Sequence, residues 1–245
     1  MQKVYNEISG AILIDKPFGI TSFQTVSKIR KILNVKKCGH CGTLDPLATG
    51  LLIVLIGKSV KLQDSFMKKD KVYSCSFLLG TTTNSGDLDG KTTSQKSFSH
   101  ITLKDVQKSA LKFTGEILQI PPMFSALKYK GKKLYELARK GIEVKRTPRK
   151  ITVHYFSITS YNDGIAEAKI KCSSGTYIRS LAQDLGNDLG CGAVVKSLRR
   201  EKIGNFDIKD SLLFNEIQNA NKLMENVKDT ELLLSTEKSS TISDF

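Results

Sequence analysis

Two overlapping clusters in this chain hold residue types that can do chemistry. Cys38-Gly39-His40-Cys41 has the C-x-x-C spacing of a thiol–disulfide pair. Such a pair is reactive when a helix follows it within a βαβ pattern. Here Gly42-Thr43-Leu44-Asp45-Pro46 follows, which reads as a turn, and no second Cys pair stands at zinc-finger spacing. Cys75, Cys172 and Cys191 are scattered, and His100 and His154 have no ligand-type neighbours. The sequence therefore predicts two small buried cysteines and no metal site. The second cluster is residues 39–50, with glycines at 39, 42 and 50, a proline at 46 and a single carboxylate, Asp45. Glycines and a proline fix an unusual backbone path. One acid on a short loop, just ahead of the apolar run Leu51 to Ile56, is a catalytic geometry. An Asp-Pro pair also serves as a plain turn cap, so the loop alone leaves both readings open.

The elements that must hold this loop are legible in the patterning. Residues 11–14 (AILI) predict a buried strand, and Asp15-Lys16-Pro17-Phe18-Gly19 a turn. Thr21 or Ser22 caps a helix with Phe23, Val26, Ile29 and Leu33 on one stripe. The run at 51–56 predicts a central strand, and alternation over 72–79 puts Tyr73, Cys75, Phe77 and Leu79 on one strand face. After a polar loop from Thr81 to Gly90, Thr102 opens a helix with Leu103, Val106, Ala110 and Leu111 inward. Residues 126–150 hold ten Lys/Arg against two Glu, with Tyr129 and Tyr135 interleaved and a short helix over 133–140 that ends at Gly141. Strands near 151–160 and 165–172, a helix over 176–189 and a basic strand over 195–203 complete the pattern. Strands and helices interleave without a regular βαβ rhythm, which predicts an α+β fold with a mixed sheet.

Charge narrows the function classes. The net charge is +14 over 245 residues. The first 205 residues carry 34 basic and 16 acidic side chains, whereas from Phe206 on there are four basic and eight acidic. A basic body suggests a polyanionic partner such as nucleic acid. The longest apolar run is far too short to span a membrane, and the N-terminus lacks the apolar core of a signal peptide. Five cysteines, an odd number, argue against a disulfide framework and for a reducing, cytoplasmic setting.

Residues 39–50 resemble the catalytic motif of the tRNA pseudouridine synthase B (TruB) family, G-H-x-G-T-L-D-P-x-A-x-G. Asp15-Lys16-Pro17-Phe18-Gly19-Ile20-Thr21-Ser22 resembles the family's first motif, and Lys71-Val72-Tyr73 its K-x-Y strand. Residues 121–128 (PPMFSALK) resemble the start of its RNA-gripping thumb insertion, Gly175-Thr176-Tyr177-Ile178-Arg179 its G-T-Y-I-R motif, and Leu198-Arg199-Arg200 its closing L-R-R. All stand in family order across residues 10–205. The family's T-D-T-x-D-x-x-G loop reads Thr83-Asn84-Ser85-Gly86-Asp87-Leu88-Asp89-Gly90 here, with an amide in place of the first acid. The resemblance implies a pseudouridine synthase fold: a mixed, largely antiparallel sheet flanked by helices, with a central active-site cleft and a thumb near 121–150. It sets residues 1–205 as the catalytic domain and 206–245 as a short tail in place of the usual C-terminal PUA domain.

The implied reaction breaks the N1–C1′ bond of uridine 55 in the T loop of tRNA, turns the base and rejoins it through C5. Nothing is added or removed, so no cofactor is expected. A glycosidase needs two carboxylates to protonate a leaving group and activate water; here the base stays, and the lone Asp45 suffices. Attack at C1′, addition at C6 and removal of the 2′ proton remain open as its step. The resemblance implies that Arg179 pairs with Asp45 and keeps it ionised, that Tyr73 stacks on the base and can take the C5 proton, that Tyr177 and Leu198 line the pocket, and that His40 props the flipped-out base. The RNA contacts it implies are Lys16, Lys128, Lys130, Lys132, Lys133, Arg139, Arg146 and Arg149, made by a monomer on the T arm. The competing class is a non-catalytic RNA-binding protein or tRNA-folding chaperone on the same fold. Replacing Cys38 and Cys41 together by Ser should leave most of the turnover intact and independent of reductant; loss of turnover in a folded double variant would restore a role for the two sulfurs.

Overall fold

The computed structural model describes residues 8–231 and 233–234. The first apolar run forms β1 (Gly10–Lys16), after which Thr21 caps α1 (Ser22–Leu33). The cap is reciprocal: Gln24 N donates to Thr21 Oγ1 and Thr21 N donates to Gln24 Oε1, which satisfies backbone donors that the helix itself cannot. β2 (Cys38–His40) and β3 (Thr49–Ile56) follow, with the Asp45 loop between them. Next come α2 (Gln63–Met67), β4 (Lys71–Leu79), the hairpin of β5 (Thr81–Thr83) and β6 (Thr92–Gln95), α3 (Leu103–Leu111) and β7 (Gly115–Gln119). The basic insertion holds a small hairpin, β8 (Lys128–Tyr129) with β9 (Lys132–Lys133), and α4 (Leu134–Ala138). β10 (Arg149–Asn162), β11 (Ile165–Cys172), α5 (Ile178–Asp188), β12 (Ala193–Ile203), β13 (Phe206–Asp207), β14 (Leu212–Leu213) and α6 (Ala220–Glu225) complete the order.

These elements form two units, one from residues up to Lys71 together with those from Arg199 on, the other from Val72–Leu198. In the first, β1 runs antiparallel to β3 from Gly10 opposite Ile56 to Lys16 opposite Gly50. β14 lies parallel on the other side of β1, and β12 joins β3 in parallel at Arg199 and Arg200. Alternate residues of β1 and β3 feed two clusters. Ile12, Ile14, Leu52, Val54 and Ile56 pack with Val26, Ile29 and Leu33 of α1, whereas Ala11, Leu13, Leu51, Ile53 and Leu55 pack with Phe66, Ile203 and Phe206. Coverage on both faces explains why these strands read as unbroken apolar runs rather than alternating ones. The acidic segment after Phe206 is bound into this unit: Leu212, Ile217 and Leu223 enter the α1 cluster, and Lys228 exchanges backbone hydrogen bonds of 2.9 and 2.8 Å with Ala11.

The second unit orders its strands β4-β11-β10-β7, with the stretch of β12 up to Leu198 bordering β4. β10 is antiparallel to both β11 and β7. Tyr73, Cys75, Phe77 and Leu79 face inward as their alternation predicts, against Val106 and Ala110 of α3 and Leu181, Ala182 and Leu185 of α5. The basic insertion has a small core of its own, Met123, Leu134 and Leu137. Sheet and helices together make the predicted α+β class with mostly antiparallel pairing.

Several sequence expectations are corrected. Phe23 is not on the buried stripe of α1, where Ser22 and Thr25 take the inward positions. Leu103 and Leu111 of α3 are exposed, because the sheet covers only the Val106–Ala110 face of that helix. The loop expected from Thr81 to Gly90 begins with β5 and leads into its hairpin partner β6, and β7 was not legible in the sequence.

Gly50 is the sharpest test of this packing. Its φ of 106° suits only glycine, and it pairs with Arg200, whose carbonyl and amide nitrogen a β-carbon would strike. Gly50→Ala should lower unfolding free energy by more than about 2 kcal/mol, from positive-φ strain plus backbone displacement; a melt within about 1 kcal/mol of the parent chain would disprove the close approach.

Candidate active site

Asp45 sits half-buried in an irregular loop, and a loop has no ladder to satisfy its backbone groups. Here buried side chains do it. Ser22, at the start of α1, donates its hydroxyl to Leu44 O (3.1 Å) and accepts from Leu44 N (2.9 Å). On the other side of Asp45, Pro46 O accepts from Gly19 N (2.9 Å) and from Lys16 Nζ (3.4 Å). Ala48 N donates back to Asp45 O at 3.0 Å and closes the turn. Arg200, 1% exposed, spans the two ends of the loop: Nη2 donates to Gly42 O (3.0 Å) and Nε to Leu51 O (2.8 Å). Arg199, its neighbour on β12, takes Asp15 of β1 in a bidentate pair at 2.6 and 3.2 Å.

Lys16 is corrected from an RNA contact to part of this frame. It is fully buried, and its ammonium donates to Pro17 O and Ile20 O at 2.8 Å each as well as to Pro46 O. No phosphate can reach it. Burial lowers its pKa to about 8; Asp45 nearby acts to raise it and Arg200 to lower it.

His40 ends β2 with its ring partly buried, and its Nδ1 has no hydrogen-bond partner among the described residues. Burial lowers its pKa, with Arg200 adding to the shift, so the ring is neutral at pH 7. Cys38 is half-buried and Cys41 fully buried; both are free, and burial pushes both thiols up to about 12. Neither supplies a thiolate at neutral pH, and no helix follows the pair, so the redox reading of C-x-x-C fails on both counts.

The remaining predicted residues lie in the second unit. Tyr73 is buried on β4, and Leu198 packs against the core of that unit. Gln119, unnoticed in the sequence, grips the backbone of Tyr177: its Oε1 accepts from Tyr177 N (2.8 Å) and its Nε2 donates to Tyr177 O (3.1 Å). Arg179, 6% exposed, donates to Ser85 O (3.0 Å) and Phe124 O (2.7 Å), and its Nε lies 3.8 Å from Asp87 Oδ2. The loop that departs from the family pattern therefore holds an arginine. In the same loop Asn84 Oδ1 accepts from Lys91 N at 2.9 Å.

In the basic insertion Lys128, Lys130, Lys132, Lys133, Arg139 and Arg149 are exposed. Lys133 and Arg139 lie over the ring of Tyr135, each at 5.5 Å. Arg146 is turned inward instead, donating to Pro121 O (3.2 Å) and Glu143 (2.9 Å), which braces the insertion's base. Among the described residues no three His, Cys, Asp or Glu side chains are grouped as metal ligands, and no helix is long and apolar enough to cross a membrane.

Residues 30–178 match the N-terminal domain of the TruB family of pseudouridylate synthases, and residues 179–238 match the tRNA pseudouridylate synthase B C-terminal domain. The chain is 62% identical over 225 residues to a tRNA pseudouridine synthase B of Endomicrobium trichonymphae, covering 92% of this chain and 98% of that relative. It is 46% identical over 213 residues to one of Dehalococcoides mccartyi, covering 87% and 71%. Among solved structures it is similar to a chain of a Cbf5-Nop10-Gar1 complex, with 29% identity, a TM-score of 0.67 and coverage of 84% and 53%. It is also similar to a chain of an H/ACA RNP bound to a substrate RNA containing 2′-deoxyuridine, with 26% identity, a TM-score of 0.63 and coverage of 84% and 51%. The chain spans about half the length of these solved chains.

Lys16→Met separates a framing role from a phosphate contact. It takes this donor from Pro17 O and Ile20 O and leaves Pro46 O with Gly19 N alone, so stability should fall by about 1–3 kcal/mol, and turnover should fall through kcat as the Asp45 loop slackens. The salt dependence of RNA binding should not move; a flatter slope with unchanged stability would return Lys16 to the RNA interface.

Proposed function

The chain belongs to the TruB family of pseudouridylate synthases, and on that premise we propose that it isomerises uridine 55 in the T loop of tRNA with Asp45 as its catalytic carboxylate. The chain is an isomerase that converts uridine to pseudouridine in tRNA, the activity for which its relatives are named. The observation that carries the assignment to Asp45 is its loop: one acid, with the backbone on both sides of it fixed by Ser22, Lys16 and Arg200. A reaction that must keep a detached base from water needs an acid whose position does not drift.

In the proposed reaction N1–C1′ breaks, the base turns in place, and C5 bonds to C1′ as C5 gives up its proton and N1 gains one. Tyr73 would stack on the base and accept the C5 proton, and Arg179 would favour the ionised carboxylate. Tyr177 and Leu198 would line the base, and His40, neutral and partly buried, would prop the gap that a flipped nucleotide leaves. Lys128, Lys130, Lys132, Lys133, Arg139 and Arg149 would meet phosphates, with Tyr129 beside them for stacking. The protein would act in the cytoplasm as a monomer on the T arm.

Asp45→Asn should reduce pseudouridine formation more than about a thousandfold, roughly 4 kcal/mol of barrier, while tRNA affinity stays within a few-fold. Mass-spectrometric or carbodiimide mapping of tRNA after incubation reads the result. Substantial turnover by a clean preparation of the variant removes Asp45 from the reaction. Tight tRNA binding by the parent chain without any pseudouridine would instead favour the RNA-binding or chaperone reading.

A further inference from the structure

Among the described residues two phenylalanines are exposed, Phe18 at 65% and Phe23 at 72%. Scattered exposed apolar side chains are ordinary on a protein surface. Each of these two is next in sequence to a residue that anchors the Asp45 loop. Phe18 precedes Gly19, whose amide holds Pro46 O; Phe23 follows Ser22, which exchanges hydrogen bonds with the backbone of Leu44. Leu44 and Pro46 are the residues on either side of Asp45.

The backbone under Phe18 is rigid. It stands in the turn between Pro17 and Ile20, where Gly19 at φ 84° makes the reversal possible. Lys16 Nζ fills the turn from beneath by donating to Pro17 O and Ile20 O. Held there, the ring is left exposed to solvent. Phe23 is similarly fixed, in the first turn of a helix whose Thr21 cap is complete.

From this we infer that Phe18 and Phe23 are a stacking platform for unpaired bases of the RNA substrate next to the target uridine. The inference rests on the reading of Asp45 as the acid that acts on an RNA base. An aromatic on an immobile turn loses little freedom on binding, and every base offers a π-face, so the platform adds affinity without reading sequence. Because neither ring carries charge, this share of the affinity is independent of salt, unlike the phosphate contacts of the basic insertion.

The chain has no tryptophan, so Phe18→Trp and Phe23→Trp each create a single fluorescent reporter. Titration with a T-arm stem-loop should quench both, over the RNA range in which the anisotropy of labelled stem-loop reports binding. Phe18→Ala combined with Phe23→Ala should raise Kd and KM about tenfold or more, within the span of one to two lost stacking contacts, with the salt slope unchanged. Phe18→Tyr should retain the affinity and Phe18→Leu should lose it, since Leu keeps the apolar bulk without the π-face. Tryptophan emission that stays constant while anisotropy reports binding would overturn the platform, as would a double Ala variant whose KM is within twofold of the parent. Absence of pseudouridine with the parent chain would sink the catalytic reading separately, because the fluorescence and affinity arms decide stacking without turnover.

Discussion

An irregular loop exposes backbone carbonyls and amides that no neighbouring strand or helix can pair, and the loop around Asp45 runs from the half-buried β2 to the buried β3. Leaving those groups unpaired is expensive away from water. The fold meets this constraint with two cations taken out of solvent, Lys16 and Arg200, each spent on carbonyl oxygens. Much else follows from it. β12 must approach β3 closely enough for Arg200 to span Gly42 and Leu51, which requires glycine at 50. The turn after β1 must close over the Lys16 ammonium, which places Gly19 against Pro46. α1 must begin where Ser22 can reach Leu44.

The same frame shapes the electrostatics near the acid. Arg200 adds to the lowering of the His40 pKa and opposes the burial that raises Cys41. Burial dominates each shift, so His40 stays neutral and both thiols stay protonated at pH 7. The Lys16 ammonium, on which Asp45, Asp15 and Arg200 all act, is held in place by its carbonyl partners. In the second unit an arginine is treated alike: Arg179 is buried and gripped by Ser85, Phe124 and Asp87. Solvent-exposed positive charge is gathered on the hairpin and helix of the insertion. Electrostatic catalysis in general depends on preorganised charge, whereas phosphate contacts in general are made by solvent-accessible cations.

Residues after Phe206 illustrate how composition misleads about organisation. Their acidic balance separates them from the basic body, and they read as a tail. Leu212, Ile217 and Leu223 nevertheless pack on α1, and Lys228 pairs with Ala11 of β1. The match of residues 179–238 to the family's C-terminal domain covers the same stretch. Charge is a property of the outer face of a segment and says little about its inner one.

Much was legible in the amino-acid order. The runs at 11–14 and 51–56 are strands because only continuous apolar residues fill a sheet covered on both faces. The alternation of Tyr73, Cys75, Phe77 and Leu79 is a strand with one buried face. Thr21 and Thr102 begin helices because each is followed three residues later by a side chain that completes the cap. The motifs in family order pointed to the family and its reaction, because motifs depend on residue type at short range. Tertiary structure alone decided where each charge and each ring ends up. Lys16 looks like any surface lysine until Pro46, thirty residues on, is brought to its ammonium. Arg146 looks like a phosphate ligand until Pro121 O is set beside it. Phe23 fits a helical stripe by periodicity, yet Ser22 is turned inward because its hydroxyl is needed at Leu44. Sequence fixes which residues can be buried or charged; which of them meets a partner depends on contacts between positions far apart in the chain, and those exist only once the strands have paired.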